Sequence, residues 1–138
     1  MEQKKQSKNW NIAATHYLTS GFAIPFVVGL ILVFPLASFF PKGSFMFNFV
    51  APLIGLISIW LGAWYSANYI NRKYFISDSS KIVKASMAYF IILKLLYLIG
   101  TFPWKGIDND YIQSVIISIL GAIIFYSVSK KYIKTTIQ

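Results

Sequence analysis

The sequence predicts an all-α integral membrane protein with four transmembrane helices, arranged as two antiparallel hairpins with both termini cytoplasmic. Three observations carry this reading. Charged residues make up only 12% of the 138 positions and hydrophobic ones 57%, whereas an ordinary soluble domain is about 25% charged. Four stretches, about 17–39, 45–69, 83–102 and 111–129, have interiors free of charged side chains, Lys94 excepted, and each is long enough to cross a hydrocarbon core of about 30 Å as a helix. The basic residues also fall unevenly about those stretches. Lys4, Lys5, Lys8, Arg72, Lys73, Lys81, Lys84, Lys130, Lys131 and Lys134 lie on one side, against Lys42 and Lys105 on the other. The positive-inside rule places the first group in the cytoplasm.

This distribution also accounts for the net charge of +9: the lysines follow topology, and nucleic acid is not the expected partner. A basic inner rim attracts anionic lipid as a secondary effect, worth about 1 kcal/mol per residue near the surface. The expected setting is a multi-pass position in a bacterial plasma membrane.

Residues 1–16 form a polar, basic tail at the membrane surface, residues 17–132 the transmembrane domain, and 133–138 a short C-terminal tail. Span 1 carries Gly21, Pro25, Gly29 and Pro35, tolerated in lipid because neighbouring helices and local distortions satisfy the freed carbonyls; a kinked helix is expected. The run is longer than a signal-peptide h-region and lacks a small-x-small cleavage site, so it reads as a retained anchor. Span 2 follows across FFPKGS, a proline–glycine turn. Before span 3, Asp78, Ser79 and Ser80 offer side-chain acceptors to the first free amides of the helix. Before span 4, Asp108 and Asp110 suit the positive end of a helix dipole. Trp10, Tyr17, Trp64, Tyr65, Tyr69, Tyr126 and Tyr132 on the inner side, with Phe39, Phe40, Phe45, Trp104 and Tyr111 on the outer, mark interfacial aromatic belts.

Two features invite a functional reading. Gly55, Gly62 and Ser66 in span 2, and Ser114 and Gly121 in span 4, form rows of small residues that let another helix approach closely. Ordinary intramolecular packing explains them best, with a homodimer seam as the alternative.

The second feature is Lys94. A lysine at mid-membrane costs roughly 2.5–3.5 kcal/mol, offset by the other residues of span 3, since Leu, Ile, Val and Phe contribute about 0.3–0.6 kcal/mol each. Lys94 stands about 12 Å from Phe102 along the helix axis, beyond the reach of its own stem. Tyr97 and Thr101 continue a polar strip from it, and Ser58 and Ser118 are expected near the same depth. No span contains an acid. His16, next to Tyr17, reads as an amphipathic anchor at the inner interface. Asn48 and Asn68, near the ends of span 2, read as capping or interhelical groups.

Catalysis finds no support. With no cysteine, one histidine and four acidic residues, none of them within a span, the chain offers neither a nucleophile–base pair nor a metal cluster, and no cofactor is expected. The sequence therefore reads as a non-enzymatic accessory or scaffold subunit of a membrane assembly, working as a homo-oligomer or with another membrane protein. The alternative is a small oligomeric channel or transporter in which Lys94, Tyr97, Thr101, Ser58 and Ser118 line a path for an anion or polar solute.

Overall fold

The computed structural model describes residues 4–41, 43–105 and 109–136, and the side chains of the third helix as far as Phe102. Lys42 and Asp108, and the side chains of Trp104 and Lys105, lie outside the described residues. Among the described residues the chain is helical apart from short connections, with four helices long and apolar enough to cross a membrane. These are α1 (Asn9–Phe39), α2 (Phe45–Lys73), α3 (Ser79–Lys105) and α4 (Asn109–Tyr132). At 1.5 Å per residue, α1 and α2 reach roughly 45 Å, more than the hydrocarbon thickness.

The prolines of α1 have a specific consequence. A proline within a helix lacks an N–H and its ring collides with the carbonyl four residues back. Just ahead of Pro25 and Pro35 the helix widens into π segments, Leu18–Ala23 and Gly29–Val33. There Ile24 N–H reaches Thr19 O, and Phe34 N–H reaches Gly29 O, each five residues back. The widened turns make room for each ring without ending the helix.

The ends are set locally. Ser44 caps α2 by accepting Phe47 N–H at 3.2 Å, after a turn in which Gly43 adopts φ +95°. Of the three expected caps before α3, Asp78 does the work, accepting Lys81 N–H at 3.1 Å. That bond, followed by the Lys81 charge, holds the Asp78 carboxyl below its ordinary value. Pro52 leaves the Asn48 carbonyl without a helical donor, and Gln113 Nε2 from α4 supplies one at 2.8 Å. At the other end Asn71 Nδ2 donates to Tyr132 O at 2.7 Å. These two ties show that α2 and α4 lie side by side in the same direction.

In cross-section the helices form a ring in the order α1, α2, α4, α3, with α1 facing α4 across the centre and α2 facing α3. One end of the ring is sealed by non-helical chain. Lys5 N–H donates to Lys73 O and Phe75 N–H to Lys5 O, while Thr136 N–H donates to Ile76 O. Both terminal segments are thereby bonded to the connection between α2 and α3. The part of the expected surface tail from Asn9 onward is helical, with Ile12 and Ala13 fully buried.

Burial is confined to this sealed half. Among the described residues, nothing on α1 beyond Ser20, on α2 before Ser58, on α3 beyond Phe90 or on α4 before Gly121 is buried. Ile12, Ala67, Ile70, Ile76, Ile82 and Ile133 form one cluster at the seal. Tyr17, Ile59, Ala63, Phe90, Phe125 and Val128 form the next layer. Beyond that layer, the distal halves of the helices carry no buried side chain among the described residues. Lipid tails are as apolar as the side chains there, so no hydrophobic force closes that half.

Candidate functional site

The polar centre of the sealed half is built around His16. Helix α1 begins well before the expected span, and His16 faces the middle of the ring, where it is fully buried. The interfacial anchor expected from the sequence is thus a central group. Its Nδ1 lies 3.0 Å from Ser66 Oγ on α2, and its Nε2 lies 2.8 Å from Ser129 Oγ on α4. The ring packs 5.2 Å from that of Phe125. Ser66 Oγ also donates to His16 O at 3.3 Å, and Ser20 Oγ donates to the same carbonyl.

For a neutral imidazole, one allocation of protons satisfies all of these contacts together. Ser66 has a single hydroxyl proton and directs it to His16 O, so its oxygen accepts from Nδ1–H; Nε2 is then the acceptor and Ser129 the donor. Among the described residues no acid is bonded to the imidazole. A second link lies nearby: Ser86 Oγ on α3 donates to Ala13 O at 3.3 Å and to Ile82 O at 2.8 Å. Every buried side-chain nitrogen and oxygen among the described residues has a partner. Chemically, His16 joins α1 to its neighbour α2 and its diagonal partner α4, and the site is a closed structural junction.

A signal for this existed in the sequence. Ile12, Ala13, His16, Tyr17 and Ser20 recur at helical spacing, one face that begins within the tail and continues into the span. What sequence cannot supply is the pairing of that face with Ser66 and Ser129, 50 and 113 residues away.

The residues singled out for small size separate into two groups. A Cβ on Gly62 would stand 2.7 Å from Ser20 O and 2.9 Å from Ser20 Cα, so α1 and α2 approach here through backbone. A Cβ on Gly121 would meet Ile59 Cδ1 at 3.0 Å. Ser66 contacts His16 as described. Around Gly55, by contrast, nothing lies within 4 Å of an added Cβ, and Ser114 donates to Asp110 O within its own helix.

Lys94 stands one turn beyond Phe90, where the core ends. It is half-buried, with Nζ 5.9 Å from the centre of the Phe90 ring. Tyr97 is exposed. Thr101 Oγ1 bonds to Tyr97 O and Leu98 O, Ser58 Oγ to Gly55 O at 2.7 Å, and Ser118 Oγ to Ser114 O at 2.8 Å. Each of these hydroxyls bonds within its own helix. No hydrogen bond joins them to Lys94 among the described residues. Ser58 is buried, whereas Ser118 and Thr101 are half-buried.

No protein-family model, curated protein or solved structure matches this chain. The functional reading therefore rests on the geometry itself. Four apolar helices with these lengths are compatible with a small multi-pass membrane protein.

Proposed function

We propose that the protein is a non-enzymatic accessory or scaffold subunit of a membrane assembly, built as two antiparallel hairpins with both termini in the cytoplasm. The sealed half, which carries the basic residues of both tails and of the central connection, faces inward by the positive-inside rule. The observation that carries the association role is the end of the core at Phe90. From Ile91 to Gly100 every residue of α3 is exposed except Lys94 and Leu98, and among the described residues the lysine makes no salt bridge. An intramembrane cation on a largely exposed stretch of helix suits a partner helix that supplies an anionic group at the same depth.

Gentle detergent extraction followed by mass analysis tests this. A co-purifying protein or oligomer is expected, and Lys94→Leu is expected to reduce its retention. A monomer with nothing bound at the lowest workable detergent level would count decisively against the role.

A second reading, a small oligomeric channel or transporter for an anion or polar solute, draws on the half-buried position of Lys94 beside the open distal half. Proteoliposome flux separates the two: transport lost in Lys94→Gln supports it, and absence of flux removes it.

A further inference from the structure

Between the first turns of α2 and α4 lies a crevice of about 620 Å³, within the range of small-ligand sites. It opens at the end of the bundle opposite the sealed half. Its mouth carries Asn48, Asp110, Gln113 and Ser114, and deeper it is lined by Ala51, Pro52, Gly55 and Ile117. From Phe47 to Gly55 the lining rises about 12 Å along α2, from the polar start of the helix into its apolar part.

The local chemistry explains why the crevice is open and polar at one end. Pro52 frees the Asn48 carbonyl, and the Gln113 amide that satisfies it bridges α2 to α4. Below that bridge α2 presents Ala51, Pro52 and Gly55 opposite Ile117 of α4, and a Cβ on Gly55 would meet nothing within 4 Å. The small residues here hold space open, unlike Gly62, where they bring backbones together. Asp110 contributes a carboxylate with no salt bridge among the described residues.

We propose that this crevice binds an amphiphile whose head is an N–H-bearing ammonium group and whose apolar chain enters between α2 and α4. Asp110 receives the ammonium, the free side-chain oxygen of Gln113 accepts a second N–H, and Pro52, Gly55 and Ile117 meet the chain. Charge-assisted hydrogen bonds of this kind are the stronger ones. Two sources share the chemistry, the head of an aminophospholipid and a free long-chain amine. The site is independent of the partner surface proposed on α3, so failure of either reading leaves the other standing.

The test uses the full chain in maltoside micelles at pH 7, titrated with phosphatidylethanolamine, phosphatidylcholine or dodecylamine and followed by native mass spectrometry. Binding of phosphatidylethanolamine at least tenfold tighter than phosphatidylcholine identifies a lipid site; tighter binding of dodecylamine alone identifies a free amine. Asp110→Asn is expected to weaken the preferred probe at least tenfold. Gly55→Leu is expected to abolish binding while leaving the melting temperature unchanged or raised, because the added atoms enter empty space. No preference for either amine, full binding by either variant, or a sharp fall in melting temperature for Gly55→Leu would overturn the proposal.

Discussion

Removing the imidazole of His16 tests whether a polar junction holds the sealed half together. His16→Ala deletes two side-chain hydrogen bonds, at 3.0 and 2.8 Å, and the ring that packs against Phe125. Interhelical hydrogen bonds within membranes average about 0.6 kcal/mol and reach about 1.7, so the pair contributes roughly 1–2 kcal/mol. Emptying a fully buried site of comparable size costs on the order of 2–5 kcal/mol in soluble cores; the lower part of that range applies where no hydrophobic force operates. The sum is about 3 kcal/mol. Reversible unfolding in mixed micelles, titrated with dodecyl sulfate and followed by tryptophan fluorescence, measures it. A double-mutant cycle then isolates the bond: Ser129→Ala should destabilise the wild type but add little to His16→Ala, with a coupling of about 0.6–1.7 kcal/mol. His16→Gln, whose side-chain oxygen can replace Nε2 as the acceptor for Ser129, should keep part of that coupling, and His16→Asn, whose amide nitrogen can donate to Ser66 in place of Nδ1–H, should keep part of the Ser66 coupling. A His16→Ala protein within about 0.5 kcal/mol of wild type, a change ordinary for a surface position, would refute the junction.

Other measurements probe the remaining features. Gly62→Ala gains up to about 1 kcal/mol of intrinsic helix propensity but drives its methyl into the Ser20 backbone; the overpacking cost of about 1–3 kcal/mol should win, lowering the unfolding midpoint. Asn71→Ala removes both the bond to Tyr132 O and the one that Lys134 N–H makes to Asn71 Oδ1, and hydrogen exchange should rise over residues 133–136. Asp78→Ala should lower the melting temperature and Asp78→Asn, another good cap, should largely restore it. Because the folded carboxyl titrates below its ordinary 3.8, its stabilisation is fully present above that pH and is lost as pH falls through the lowered folded value. A melting temperature for Asp78→Ala that equals wild type at pH 7 would remove the cap from this account.

The element plan was legible because it depends on short-range chemistry. Length and apolarity alone define four helices, and residues at the first two turns mark where the next helix starts: Ser44 and Asp78 cap, and Gly43 takes a positive φ. The kink expected from Pro25 and Pro35 takes the form of two widened turns, which depends on how five-residue bonds fit around each ring. His16 was misplaced for a different reason. Hydropathy counts the polar residues 9–16 against a membrane span, yet their helix is buried by α2, α3 and the C-terminal segment.

The sequence by itself determined a four-span helical chain with its basic residues gathered at one end, since hydrophobic length and charge position are properties of single segments. Tertiary structure decided everything that joins segments: the ring order, the His16–Ser66–Ser129 junction, and the divergence of Gly62 and Gly55, one pressed on a backbone and the other facing empty space. The physical reason is that small residues permit close approach without compelling it. Whether two helices meet or leave a crevice depends on what the facing helix presents at that level.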